Sequence, residues 1–123
     1  MLTLAPGLNI YVYTRPTDMR NGINGLSGIV RDQFSADPTD GSLFVFINRR
    51  GDRLKMLYFD GGGFWLYYRV LEAGTFEMIS AEGDSPVIEM DTTQLAMLLA
   101  GVSLVASKRR RKRFVTDASA YAA

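Results

Sequence analysis

Residues 43–70 read LFVFINRRGDRLKMLYFDGGGFWLYYRV, and this stretch decides the fold. Three runs in it, Leu43–Asn48, Leu54–Asp60 and Phe64–Val70, are rich in the β-branched and aromatic side chains that suit a pleated surface. The gaps between them, Arg49-Arg50-Gly51-Asp52-Arg53 and Gly61-Gly62-Gly63, are short and carry glycine, so both read as hairpin turns. Three strands joined by two tight turns predict an antiparallel meander.

Working outward, Thr75–Ser80 reads as a further strand of the meander and Val87–Met90 as another after it. Ile10-Tyr11-Val12-Tyr13 is a short strand by the same composition. Pro16 stops pairing there, and Thr17 is the expected N-cap of a helix over about residues 17–34. Met19, Ile23, Leu26, Val30 and Phe34 form its apolar stripe, while Arg20, Asn24, Ser27 and Arg31 occupy a polar face. Gly22, Gly25 and Gly28 within it are expected where a neighbour packs closely, the alternative being local backbone flexibility. Residues 35–42 have the turn chemistry of a loop. Asp91, with Gln94 three residues on, predicts a capping box opening a second helix whose buried stripe is Leu95, Leu98, Leu99 and Val102. The expected architecture is α+β: a single domain over 1–107, an antiparallel β-meander of four to five strands with an N-terminal and a C-terminal helix. Residues 108–123 are expected to form a disordered basic tail.

The chain of 123 residues contains neither Cys nor His. Disulfides, thiol nucleophiles, Cys/His zinc sites and histidine general bases are therefore absent from its chemistry. The formal charge of +1 conceals a segregation. Residues 1–69 carry a net +2, residues 70–107 carry −6 with no Lys or Arg, and residues 108–123 carry +5. Such asymmetry favours a polyanionic partner. The start lacks the basic, then apolar, pattern of a signal peptide. The most apolar window, Leu95–Ala106, spans 12 residues, short of the roughly 20 a membrane helix needs. A cytoplasmic protein is expected.

Clustered cations supply the candidate sites. Lys108, Arg109, Arg110, Arg111, Lys112 and Arg113 form a run suited to phosphate contacts through counterion release. Arg49, Arg50, Arg53 and Lys55 crowd one turn, where guanidinium forks suit phosphates and base edges; the alternative is an ordinary charged tip with Asp52 paired to Arg50 or Arg53. Strand alternation sends Phe64, Leu66 and Tyr68 to one face and Trp65, Tyr67 and Arg69 to the other. The latter can stack bases or anchor a protein partner, unless core covers both faces. Asp52 and Asp60 are the acids best placed for a catalytic Mg²⁺, but no third acid converges in sequence. Gly61–Gly63 lacks the Gly-Lys-Ser/Thr of a phosphate-binding loop. No catalytic residue, metal or cofactor is expected.

Four stretches carry a resemblance: Pro16-Thr17-Asp18-Met19-Arg20-Asn21-Gly22-Ile23-Asn24-Gly25-Leu26, Leu43 through Lys55, Asp60 through Arg69, and Gln94 through Gly101. In this order, across roughly residues 8–104, they resemble the TnpB accessory proteins, products of the second reading frame of insertion sequences of the IS66 type. These are distinct from the RNA-guided nuclease of the same name. The resemblance implies a bacterial mobile-element protein linked to transposition that works beside a separate transposase; together with the clustered arginines it leads to the expectation of a non-catalytic DNA-binding protein, with DNA and that transposase as partners. It adds Arg20 and Arg69 to the expected nucleic-acid-binding set of Arg49, Arg50, Arg53, Lys55 and the tail cations, and leaves Trp65 and Tyr67 as the stacking or partner-binding pair. Asn21, Phe59 and Val70 depart from the family pattern, which has Lys, Trp and a basic residue there. The rival expectation is a protein-interaction module that assembles or regulates the transposase without touching DNA.

Overall fold

The computed structural model of the chain describes residues 7–77 and 84–101. Five strands form one sheet: β1 (Ile10–Tyr13), β2 (Leu43–Ile47), β3 (Arg53–Asp60), β4 (Gly63–Val70) and β5 (Val87–Met90). Their order is β4-β3-β2-β1-β5. The pairs β2–β3 and β3–β4 are the expected antiparallel hairpins. β1 lies parallel to β2, with Ile10 opposite Leu43, and β5 pairs antiparallel to β1. A parallel pair requires a crossover, and the chain makes it through α1 (Ile23–Ile29), which continues as a π-helical turn over Val30–Phe34. The second helix, α2, covers Thr92–Leu99. The architecture is α+β, mostly antiparallel, in a single domain.

Strand alternation divides the core in two. On one face Phe44, Phe46 and Leu57 pack with Leu26 and Val30 of the first helical segment. On the other, Ile10, Val12, Leu43, Val45, Leu54 and Met56 pack with Leu95 and Leu98 of α2 and with Phe76. All five residues of β2 are buried, which is why its run Leu-Phe-Val-Phe-Ile is apolar without alternation. Asp91 accepts from the Gln94 main-chain N–H at 2.7 Å while the Gln94 side chain accepts from the Asp91 N–H, completing the expected capping box.

The first helix differs from expectation. It opens at Ile23 after an N-cap Gly22 whose backbone is extended, and Thr17 caps nothing. Asp18 accepts the Arg20 main-chain N–H at 2.8 Å, and Thr17 N–H donates to the Ile47 carbonyl at 2.9 Å. These bonds hold residues 16–22 as a turn against the end of β2. Ile23 is consequently exposed, whereas Ser27, expected on the polar face, is buried. Close packing against a neighbouring element does not explain the glycines: a Cβ at Gly22 or Gly28 would meet open space, and the nearest atoms to one at Gly25 belong to the Asn21 side chain. Residues 75–77 are not a strand; Phe76 instead enters the core. Residues 78–80, Val102 and the basic tail lie outside the described residues.

Candidate functional site

The turn between β2 and β3 is organised by Asn48. Its side-chain carbonyl accepts the main-chain N–H groups of Asp52 and Arg53, both at 3.1 Å, and its amide donates to the Asp52 carboxylate at 2.9 Å. Asp52 therefore ties the turn internally through Asn48, and makes no ion pair with Arg50 or Arg53. The Asn48 hydrogen bond, with smaller help from the nearby Arg50 and Arg53 charges, holds the Asp52 carboxyl below the usual carboxylate range. Gly51 sits at φ 76°, in the left-handed region that favours glycine. Its carbonyl accepts from Phe76 N–H at 2.7 Å, and the Asp52 carbonyl accepts from Leu71 N–H at 2.8 Å. Segment 71–76 thus braces the turn from outside.

On this frame Arg49 and Arg50 are exposed, and neither guanidinium makes a hydrogen bond or ion pair with a described residue. Arg53 donates to the Tyr68 hydroxyl at 3.1 Å. All three line an open cleft of about 480 Å³ whose other wall is Pro16, Thr17, Asp18 and Met19. The walls are joined by the Thr17–Ile47 bond and by Lys55. The Lys55 ammonium donates to the Met19 and Asn21 carbonyls at 2.7 and 3.0 Å and sits 5.0 Å from the centre of the Tyr68 ring. Lys55 is thereby turned inward as a strut beneath the 16–22 turn. Arg20 pairs with Asp18 at 2.6 Å on the surface, and that hydrogen-bonded pair lowers the Asp18 carboxyl to about 2. The cleft therefore presents three cations and one carboxylate at neutral pH, the carboxylate already matched by Arg20.

The remaining expected residues lie elsewhere. Arg69 donates to the Leu99 carbonyl at 2.8 Å, at the C-terminal end of α2 where a cation meets unpaired carbonyls and the negative pole of the helix. Trp65 and Tyr67 stack on the α2 face, ring centres 6.2 Å apart and planes inclined 14°. Tyr67 packs partly against the core, while Trp65 is 55% exposed. Trp65 pairs with Tyr58, toward the Gly61-Gly62 turn and away from the arginines. Lys108–Arg113 lie outside the described residues. Among the described residues no three acidic side chains are grouped so as to hold a metal ion. Sequence reasoning missed the cleft's uncharged wall, because Pro16, Thr17 and Met19 carry no charge or periodic signal that points to Arg49. Asn48 stands in the sequence motif at the head of the arginine turn, but the sequence assigns its side chain no part in organising that turn.

The described residues make a small α+β module with an open, arginine-rimmed cleft on its surface. The family described as IS66 Orf2 like protein matches residues 8–109. Two similar proteins come from Sinorhizobium fredii. Uncharacterized protein y4jC is 37% identical over 110 residues, covering 89% of this chain and 92% of its own. Uncharacterized protein y4hO is 37% identical over 102 residues, covering 83% and 87%. No solved structure matches significantly. The chain belongs to the IS66 Orf2-like family, and so to the accessory proteins of insertion sequences, not to a known catalytic family. Among the described residues no helix is long and apolar enough to cross a membrane.

Proposed function

We propose that this protein assists transposition by binding DNA without catalysis, holding backbone phosphates at the rim formed by Arg49, Arg50 and Arg53. One observation carries the reading: Arg49 and Arg50 project without hydrogen-bonded or ion-paired partners from a turn whose backbone is fixed on both sides. Unpaired guanidiniums on a fixed backbone are suited to phosphate, since no internal partner has to be given up on contact and only the side-chain rotamers remain to be ordered. Lys108–Arg113 would add sequence-independent attraction in the cytoplasm, where the DNA of the element and its transposase are found.

The test is DNA binding across a salt series, on element-end and unrelated duplexes, with the full chain and a truncation after Ser107. Each phosphate contact contributes about 0.9 to the slope of log affinity against log salt. The expected result is residual binding by the truncated protein, with its slope reduced by about 2 in Arg49→Gln/Arg50→Gln. An unchanged slope in that double variant removes the turn from the interface. A flat salt dependence of the full chain removes DNA binding altogether.

A second reading rests on Trp65, a large apolar side chain left exposed beside Tyr67. Here the protein engages the transposase directly, with Trp65 as an anchor. Co-purification with the transposase after nuclease treatment, lost in Trp65→Ala, would favour it; an undiminished complex in that variant counts against it.

A further inference from the structure

The sheet ends in two edges of unlike character. The β5 edge is four residues long, follows Pro86 and carries exposed Glu89. Proline and charge of this kind discourage pairing with another strand. The β4 edge is eight residues long, Gly63-Phe64-Trp65-Leu66-Tyr67-Tyr68-Arg69-Val70, with no proline and no acid. Among the described residues nothing pairs with its outer side. Its exposed apolar side chains are Trp65 at 55%, Tyr68 at 48% and Val70 at 47%.

Hydrogen bonding fixes which groups face outward. Leu71 N–H donates to the Asp52 carbonyl, and antiparallel residues alternate between facing the neighbour and facing away. Gly63, Trp65, Tyr67 and Arg69 therefore direct their main-chain groups toward β3. Phe64, Leu66, Tyr68 and Val70 direct theirs outward. We propose that the β4 edge pairs with the β4 edge of a second copy, antiparallel about a two-fold axis at Tyr67, to make a continuous ten-stranded sheet.

That register sets Phe64 opposite Val70 of the second copy and Leu66 opposite its Tyr68, so every outward N–H and C=O of the strand finds a partner. On the α2 face it sets Tyr67 opposite its own copy and Trp65 opposite Arg69 of the second copy. A guanidinium against an indole face is attractive, and the register opposes no two like charges. The three exposed apolar side chains all enter the contact. A two-fold axis centred on Leu66 also preserves the faces, but it leaves the Val70 groups unpaired. The contact is small beside the roughly 1,200–2,000 Å² of a standard interface, so the dimer is concentration-dependent.

Sedimentation equilibrium of the full chain is the first measurement, and a dimer forming in the micromolar range is expected. The absence of cysteine permits a test of register. A residue on the axis faces itself at a Cα separation of about 4.5 Å, within disulfide reach. Tyr67→Cys should therefore cross-link rapidly under mild oxidation. Trp65→Cys, separated from its own copy by about four residues of strand, roughly 13 Å, should not. Tyr68→Pro removes an outward N–H while leaving the β3–β4 ladder intact, and is expected to weaken dimerisation at least tenfold with an unchanged circular dichroism spectrum. A wild-type monomer at about 100 μM, equal cross-linking at positions 65 and 67, or a dimer indifferent to Tyr68→Pro would each overturn the proposal. So would a monomer whose Phe64 and Leu66 amides resist hydrogen exchange, because another segment or partner would then occupy the edge.

Discussion

The two hairpin turns of the meander both turn on glycine and are unlike in construction. The β3–β4 turn reverses the chain over Gly61 and Gly62, both at positive φ, with Asp60 paired to Gly63. This is the two-residue geometry that suits the natural twist of the strands, and it needs only its glycines. The β2–β3 turn is longer, and is held by the Asn48 side chain, the Asp52 carboxylate and two main-chain bonds from segment 71–76. So much bracing is more than a chain reversal requires. Its consequence is a fixed base for Arg49, Arg50 and Arg53 at the mouth of the cleft. Where a turn only redirects the chain, glycine suffices; where it presents side chains, the fold adds hydrogen bonds from distant residues.

The braced turn depends most on Asn48. Asn48→Ala removes three side-chain hydrogen bonds from a partly buried turn. At about 1 kcal/mol net each, the expected loss is about 2–3 kcal/mol in urea unfolding. DNA binding should weaken with it although no charge has changed. A loss below about 0.5 kcal/mol would show that the segment 71–76 braces the turn unaided.

The glycines sharpen the contrast at a smaller scale. Gly51→Ala puts an L-residue in the left-handed region and brings its Cβ to 3.3 Å from Thr75 Cβ, for an expected cost of about 1–2 kcal/mol. At Gly61 a Cβ meets open space, and Asn tolerates the left-handed region well. Gly61→Asn should therefore shift stability by less than about 0.5 kcal/mol. Equal costs at the two positions would mean that the surroundings of Gly51 contribute nothing.

These two turns also show what could be read from sequence. Both were legible because glycine between β-branched and aromatic runs is a local signal, as was the Asp91/Gln94 cap. The parallel seat of β1 beside β2 was not, since pairing across the crossover is decided by which faces must be covered and not by either strand's composition. Thr17 looked like an N-cap because its local chemistry suits one. What overrides it is non-local: the carbonyl of Ile47 takes its N–H, and Lys55 reaches across to the carbonyls of Met19 and Asn21. Arg49, Arg50 and Arg53 were visible as a cluster, but their difference from Lys55 was not. Only the fold shows that Lys55 is turned inward while Arg49 and Arg50 are left unpaired.

The smallest expected effect is in acid, and it separates the turns without touching an arginine. The Asp52 carboxyl is held below its ordinary range chiefly by the Asn48 amide, and Asp18 is lowered to about 2 by its hydrogen-bonded pairing with Arg20. In the unfolded chain both return to about 3.9. A carboxyl depressed by folding contributes stability above the unfolded value and loses it as pH falls through the folded one. The unfolding midpoint should therefore be level above about pH 5 and decline from about pH 4 toward the Asp18 value of about 2. Asn48→Ala removes the main cause acting on Asp52, so its midpoint should decline less steeply over that window, retaining the shares due to Asp18 and to Asp37, which the Thr39 hydrogen bonds also hold low. Gly61→Asn alters the plain turn and should keep the full wild-type slope. Urea midpoints taken from pH 2.5 to 6 compare the three proteins directly. Parallel curves for wild type and Asn48→Ala would mean that the Asn48–Asp52 bond does not discriminate the ionised carboxylate, and the braced turn would then owe its rigidity to the main-chain bonds of Gly51 and Asp52 alone.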